Sequence, residues 1–221
     1  HIKSFVKRRG HISRAQERAV EEGMPKWGIA YNAQMQIDFD AQWGTTGQAN
    51  WLEIGFGMGE TTAKIAKAHP NVNYLGVEIY TAGVGSLIKL IEEENIENIR
   101  IISHDVVDVL RDMIPDSSLD KVLLYFPDPW RKARHHKRRL IQPEFVAKLA
   151  KKMKPGGVLH CATDWENYAH HMHDVLSAAP NWQNMASTPF APRPNDRPLT
   201  KFENRGIKLG HGVWDLLYRV R

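Results

Sequence analysis

The first stretch able to do chemistry is Glu53-Ile54-Gly55-Phe56-Gly57-Met58-Gly59. It follows a short apolar run and opens a segment with helical spacing. Glycines at such a turn let the backbone approach a ligand that a Cβ would block. Glu78 ends the next apolar run, about 20 residues on, where an acidic side chain reaches ribose hydroxyls. The dinucleotide fingerprint is G-x-G-x-x-G, with pyrophosphate on the helix N-terminus. Here the third glycine comes one residue early and Glu53 precedes the turn. A carboxylate repels a pyrophosphate and attracts a cation. S-adenosylmethionine carries a sulfonium and an ammonium and no phosphate, so the pattern favours it over NAD. Asp105 follows the third apolar run, where an acid either meets the adenine edge of that cofactor or caps the helix that follows.

The second candidate is Phe126-Pro127-Asp128-Pro129-Trp130, at the end of the fourth apolar run. Ligands of open α/β sheets sit beyond the carboxyl ends of the strands. Two prolines stiffen the loop that presents the Asp128 carboxylate. Trp130 offers a flat face for a base or plugs the core. Arg131-Lys132-Ala133-Arg134-His135-His136-Lys137-Arg138-Arg139 follows at once. An acidic loop continuous with a cationic run suits a base held near the loop and phosphates outside it. Two other stretches invite chemistry and are read as structural. His170-His171-Met172-His173 lacks the i, i+4 spacing of a helical metal pair, so no metal is expected. Cys161 reads as a small buried hydrophobe of the fifth strand.

Hydrophobic periodicity supplies the elements that must position these groups. Apolar runs at 50–54, 73–78, 99–103, 121–126 and 158–163 alternate with helical patterns at 61–69, 81–94, 105–113, 143–154 and 165–178. Such alternation predicts an α/β fold: a mostly parallel, twisted sheet of about seven strands with helices on both faces. Residues 213–220 alternate like a final strand, after a proline-rich stretch at 192–198. Ser13 is expected to cap a helix over 13–22. The domain reading is a basic N-terminal arm over 1–30 and one domain over 31–221. The chain begins at His1 and not at methionine, as expected of a trimmed arm, and shows no apolar core of an export signal.

Composition bounds the partners. The 221 residues hold 30 Lys+Arg and 25 Asp+Glu, a formal net charge of +5. Lys3, Lys7, Arg8, Arg9, Arg14 and Arg18 crowd the arm, and residues 131–139 hold no acid, so the rest of the chain is net acidic. An acidic body with two basic patches is the footprint of a polyanionic partner such as nucleic acid. No apolar run approaches the roughly 18 to 20 residues of a membrane span. A single cysteine excludes an intrachain disulfide framework and fits a cytoplasmic setting.

Three blocks of this sequence resemble the bacterial tRNA (guanine-N(7)-)-methyltransferase family. They are Leu52-Glu53-Ile54-Gly55-Phe56-Gly57-Met58-Gly59-Glu60; the Phe126–Trp130 loop with its Arg131-Lys132 and His135-His136-Lys137-Arg138-Arg139; and Thr200-Lys201-Phe202-Glu203-Asn204-Arg205-Gly206, followed by Gly210-His211 and Val213-Trp214-Asp215-Leu216. The resemblance runs over about residues 5–220. It implies a Rossmann-like class I methyltransferase that moves a methyl group from S-adenosylmethionine to N(7) of guanine 46 in the tRNA variable loop, with S-adenosylhomocysteine as product. It implies Glu53, Gly55, Gly57, Gly59, Glu78 and Asp105 for the cofactor, and Asp128 as catalytic. It implies Lys132, Asp164, Thr200, Lys201, Phe202 and Glu203 for the substrate. Arg134, His135, His136, Lys137, Arg138 and Arg139 would meet RNA. Arg131 departs from the proline more common in the family. The block from Thr200 would serve as a substrate flap, although its own residues taken alone favour a plain edge strand, and Asp164 has the alternative reading of a cap for the helix at 165–178. The chain would act as a monomer or homodimer without an obligatory protein partner. Three rival readings follow from the residues: a methyltransferase acting on an exocyclic amine, an RNA-binding module without chemistry, and an NAD-dependent oxidoreductase.

Overall fold

The computed structural model describes residues 2–6 and 10–221. His1 and the arm residues Lys7, Arg8 and Arg9 lie outside the described residues. The chain divides into two compact units, one over Lys7–Leu119 and one built from His1–Val6 and Asp120–Arg221. The fold class is α/β, with seven strands in a mostly parallel sheet.

The first unit carries β1 (Ala49–Ile54), α3 (Glu60–Ala68), β2 (Val72–Val77), α4 (Thr81–Glu94), β3 (Ile99–Ile102) and α5 (Val106–Asp112), preceded by α1 (Arg14–Trp27) and α2 (Phe39–Trp43). Its strands run parallel in the order β3-β2-β1, with Leu52 opposite Leu75 and Gly76 opposite Ile101. Every residue of β2 is buried, as a strand covered on both faces requires. The apolar stripe Val84, Leu87, Ile88 and Ile91 of α4 is buried along its whole length.

The structure departs from the periodicity at α1. Ser13 and Gln16 form a reciprocal capping box, as the start of the helix predicts. The helix then runs beyond the expected end near residue 22, past Gly23 and Pro25, to Trp27. Packing on α4 outweighs the two breakers. Gly23 leaves room for the Ile88 side chain, which a Cβ would meet at 2.3 Å. The Trp27 indole donates to the Glu92 carboxylate at 2.7 Å.

The second unit carries β4 (Leu119–Tyr125), a 3-10 helix (Ala133–Arg138), α6 (Pro143–Lys152), β5 (Met153–Thr163), α7 (Glu166–Ala178), β6 (Trp182–Asn184), α8 (Lys201–Lys208) and β7 (Trp214–Val220). Its strand order is β4-β5-β7-β6, and β7 runs antiparallel to β5, with Cys161 opposite Leu216. Cys161 is fully buried and its thiol is pushed up in pKa by that burial. α6 stops at Lys152, not 154, because the residue before Pro155 is driven extended, so β5 starts earlier than its apolar core suggests. α2 and β6 are elements the periodicity does not show. The flap block corrects a larger expectation: it is neither strand nor irregular loop, but the start of α8. Its T-x-x-E capping box, Thr200 with Glu203, is the mark of that helix in the sequence.

Candidate cofactor and acceptor sites

In the first unit, Gly55, Gly57 and Gly59 all have positive φ (69°, 60° and 82°), so the turn after β1 follows a path that L side chains rarely adopt. A Cβ on Gly55 or Gly57 would meet only open space, so the loop exposes bare backbone. Gly83 matters for the opposite reason: a Cβ there would lie 2.0 Å from the Gly57 carbonyl, so α4 approaches the loop only without one.

The three candidate acids of this unit do different work. Glu78 braces the loop. Its Oε2 accepts from the Gly57 amide at 2.8 Å, and its Oε1 accepts from the amides of Ile79 and Tyr80 at 2.8 and 3.0 Å. Spacing locates Glu78 but does not show that it shapes the turn. Glu53 is 3% exposed and accepts from the Tyr74 hydroxyl. Burial pushes its pKa up to about 7, against the opposing pull of the Tyr74 and Thr62 hydroxyls. Asp105 caps α5, with Oδ1 accepting from the Val107 amide at 3.0 Å. The capping alternative therefore holds.

In the second unit, the Phe126–Trp130 loop is strained at both ends. Phe126 and Trp130 have φ of 52° and 45°, the left-handed region that an aromatic residue enters only under constraint. The constraints are visible. The Phe126 amide donates to the Ala162 carbonyl at 2.8 Å. The Trp130 amide donates to Asp128 Oδ1 at 3.0 Å, and its indole donates to the Ser4 carbonyl at 3.0 Å. Arg139 Nε donates to the Pro129 carbonyl at 2.9 Å. The result is an exposed Asp128 carboxylate held on a rigid loop. Trp130 is buried, so it anchors the loop and offers no face to a base.

The basic run is not uniform. Lys132, Arg134 and Lys137 are exposed. Arg138 stacks on Trp130 at 4.1 Å and donates to the carbonyls of Lys3 and Phe5. His135 packs edge-on to Trp130, and desolvation with the neighbouring Arg134, Lys132, Arg138 and Lys137 lowers its pKa. His136 buries its Nε2. Arg139 corrects the expectation of an RNA contact: it is 2% exposed, with its guanidinium spent on Pro129 and Asn167. A run of charge along a sequence does not tell which cation is turned inward.

Asp164 is exposed just past β5 and does not cap α7, whose N-cap is Trp165. Arg131, at the departure from the family pattern, lays its guanidinium 4.7 Å over the Trp165 ring. Lys201 is exposed and Phe202 is 70% exposed. Glu203 is corrected: at 3% exposure it faces inward and pairs with Arg197, so it holds α8 instead of reaching a substrate. His170 and His173 pack on Phe190, and His171 bonds the Ile141 carbonyl. Among the described residues no helix is long and apolar enough to cross a membrane.

Comparison with known proteins gives this arrangement a family. The family Methyltransf_4, described as "Putative methyltransferase", matches residues 48–216. A tRNA (guanine-N(7)-)-methyltransferase of Dechloromonas aromatica is 58% identical over 221 residues, covering 100% of this chain and 89% of the relative. One of Ralstonia pickettii is 56% identical over 220 residues, covering 100% of this chain and 85% of the relative. The solved 16S rRNA methyltransferase KamB shares the fold with a TM-score of 0.61 at 14% identity, over 85% of this chain and 95% of that one. Identity of this level over the whole chain places the sequence: it belongs to the tRNA (guanine-N(7)-)-methyltransferase family.

Proposed function

We propose that this chain transfers a methyl group from S-adenosylmethionine to N(7) of guanine 46 in the variable loop of tRNA. The observation that carries the reading is the rigid, exposed Asp128 carboxylate, set in the same unit as the exposed cations Lys132, Arg134 and Lys137. Support comes as well from the identity to relatives that bear that name. The residues fit the cofactor. The glycine turn presents open backbone, and Glu53 and Glu78 are acids suited to a cationic ligand with ribose hydroxyls. We assign Glu53, Gly55, Gly57, Gly59, Glu78 and Asp105 to it, within one methyltransferase domain preceded by a basic arm.

When bound, S-adenosylmethionine supplies an electrophilic methyl group and leaves as neutral S-adenosylhomocysteine. Guanine N(7) has a free lone pair, so no residue has to remove a proton for the bond to form. Alignment and electrostatics are what the protein must supply. Asp128 accepts hydrogen bonds from the guanine ring N–H and exocyclic amine, an edge adenine does not offer. The same carboxylate faces the positive charge the purine gains. Asp164 assists, and Thr200, Lys201 and Phe202 cover the base. A soluble RNA substrate and a single buried thiol fit the cytoplasm.

The test is methyl transfer from labelled cofactor to unmodified tRNA, with the modified nucleoside identified after digestion. We expect 7-methylguanosine, lost when the variable-loop guanosine is replaced. A methylated exocyclic amine would replace this reading with that of a different base methyltransferase. Absence of both transfer and cofactor binding would leave an RNA-binding module.

The phosphate contacts make a separate prediction. Arg134→Ala and Lys137→Ala should each weaken tRNA binding and reduce the slope of log K against log salt by about 1. Arg139→Ala should instead lower thermal stability, because it removes a buried brace of the Asp128 loop. Binding titrations from low to moderate salt distinguish the two; a slope unchanged in both exposed variants would remove the run from the RNA interface.

A further inference from the structure

One buried side chain of the second unit that the reaction does not use holds two carboxylates at once. Arg197 is 1% exposed, in a stretch that reads in the sequence only as a proline-rich loop. Its Nε and Nη2 donate to the two oxygens of Asp215, both at 2.7 Å, in a planar fork. Its Nη1 donates to Glu203 Oε2 at 2.8 Å. Glu203 is also one half of the capping box, and its amide donates to Thr200 Oγ1 at 3.0 Å. The first turn of α8 is therefore fastened to β7 through one guanidinium.

The network continues toward Asp128. Asp215 Oδ1 also meets His160 Nε2 at 2.7 Å, and His160 Nδ1 meets the Tyr125 hydroxyl at 2.9 Å. Burial lowers the His160 pKa against the opposing pull of Asp215, and the ring bridges the Asp215 carboxylate and the Tyr125 hydroxyl. Tyr125 ends β4, and Phe126, the next residue, begins the strained turn. The Arg197 guanidinium lies 6.0 and 5.7 Å from the ring centroids of Tyr125 and Phe126. Its own position is held by the Arg197 amide donating to the Pro194 carbonyl at 3.1 Å and by the Lys121–Asp196 pair at 2.6 Å.

We infer that Arg197 is the positioning residue of the acceptor side: its buried guanidinium sets Thr200 and Phe202, at the head of α8, in register with the turn that carries Asp128. This rests on the proposed function. A buried ion cluster stabilises a fold poorly compared with apolar packing of the same volume. A capping box by itself needs no buried cation behind it. What the cluster does provide is a single geometry, because a fork that satisfies two carboxylates at once tolerates no displacement of either.

The test is a double-mutant cycle on methyl transfer. Arg197→Lys keeps the charge but has no planar fork. It should keep its S-adenosylmethionine Kd within about twofold and lose about 100-fold in kcat/KM for tRNA, the cost of a small misplacement of reacting groups. Thr200→Ala alone should cost about tenfold or more, but less than about threefold when added to Arg197→Lys, because the displaced turn no longer makes that contact. Asp215→Asn, on β7, should show the same non-additivity with Thr200→Ala and serves where Arg197→Lys does not fold. Losses that simply multiply, or a folded Arg197→Lys enzyme within about threefold of wild type, overturn the inference. A wild-type chain that forms no 7-methylguanosine overturns the proposed function, and this inference with it. An active wild type with an additive cycle overturns this inference alone.

Discussion

Asp128→Asn should lower kcat about 10²- to 10³-fold, the range for removing one group aimed at charge that develops in the transition state. The substitution is nearly isosteric. Asparagine Oδ1 still accepts from the Trp130 amide, so the loop keeps its 3.0 Å internal bond and its two strained ends. What disappears is the negative charge and the second acceptor oxygen that guanine would use. Guanine is neutral before transfer and cationic after it, so the lost interaction is one that grows along the reaction. Such a loss lowers kcat and kcat/KM together. Cofactor affinity should change far less, because the cofactor is assigned to Glu53, Gly55, Gly57, Gly59, Glu78 and Asp105 and not to Asp128. Steady-state kinetics with tRNA and calorimetry with S-adenosylmethionine read the two effects separately. A variant retaining most of its kcat would sink the catalytic assignment and reduce Asp128 to a turn residue.

Glu53→Gln should weaken S-adenosylmethionine binding and at the same time stabilise the protein at alkaline pH. Burial raises the Glu53 pKa from 4.5 to about 7. The folded state therefore holds this proton more tightly than the unfolded chain does. The associated stability is fully present below pH 4.5 and is lost as pH rises through 7. Above that, the ionised and buried carboxylate costs the fold about 3 kcal/mol, since each tenfold change in proton affinity is worth about 1.4 kcal/mol. Glutamine keeps an acceptor for the Tyr74 hydroxyl and carries no charge, so Tm at pH 8 should rise by a few degrees, with the gain shrinking toward pH 5. Only the anion attracts a sulfonium or an ammonium. Wild-type Kd should thus be flat above pH 8 and rise, as pH falls, toward tenfold for each pH unit once Glu53 protonates. The variant should bind about tenfold or more weakly, with little pH dependence. Equal melting temperatures at pH 8, or a wild-type Kd indifferent to pH between 6 and 8, would remove Glu53 from the cofactor's charge environment. The acid is kept at a cost to the fold, as expected of a group retained for a ligand.

Much of this protein is determined by local patterns. Alternating apolar runs and helical stripes specify the α/β class, because burying a strand on both faces requires consecutive apolar residues and burying one side of a helix requires a stripe. The glycine turn and Glu78 are readable from spacing, since a ligand held against backbone admits no Cβ at the contact. Even α8 is announced by Thr200 and Glu203. Direction and burial are not determined in this way. Lys137 and Arg139 lie two residues apart in one basic run; one faces solvent and the other braces Pro129 from inside. Glu203 sits in a block that resembles a substrate flap, yet it turns inward to Arg197. Arg197, in a proline-rich loop, and Asp215, in a strand, are 18 residues apart in sequence and joined by two hydrogen bonds. A charged side chain turns inward only where packing brings it hydrogen-bond partners, whether an opposite charge as for Arg197 or a carbonyl and an amide as for Arg139, and no local pattern records which partners those are.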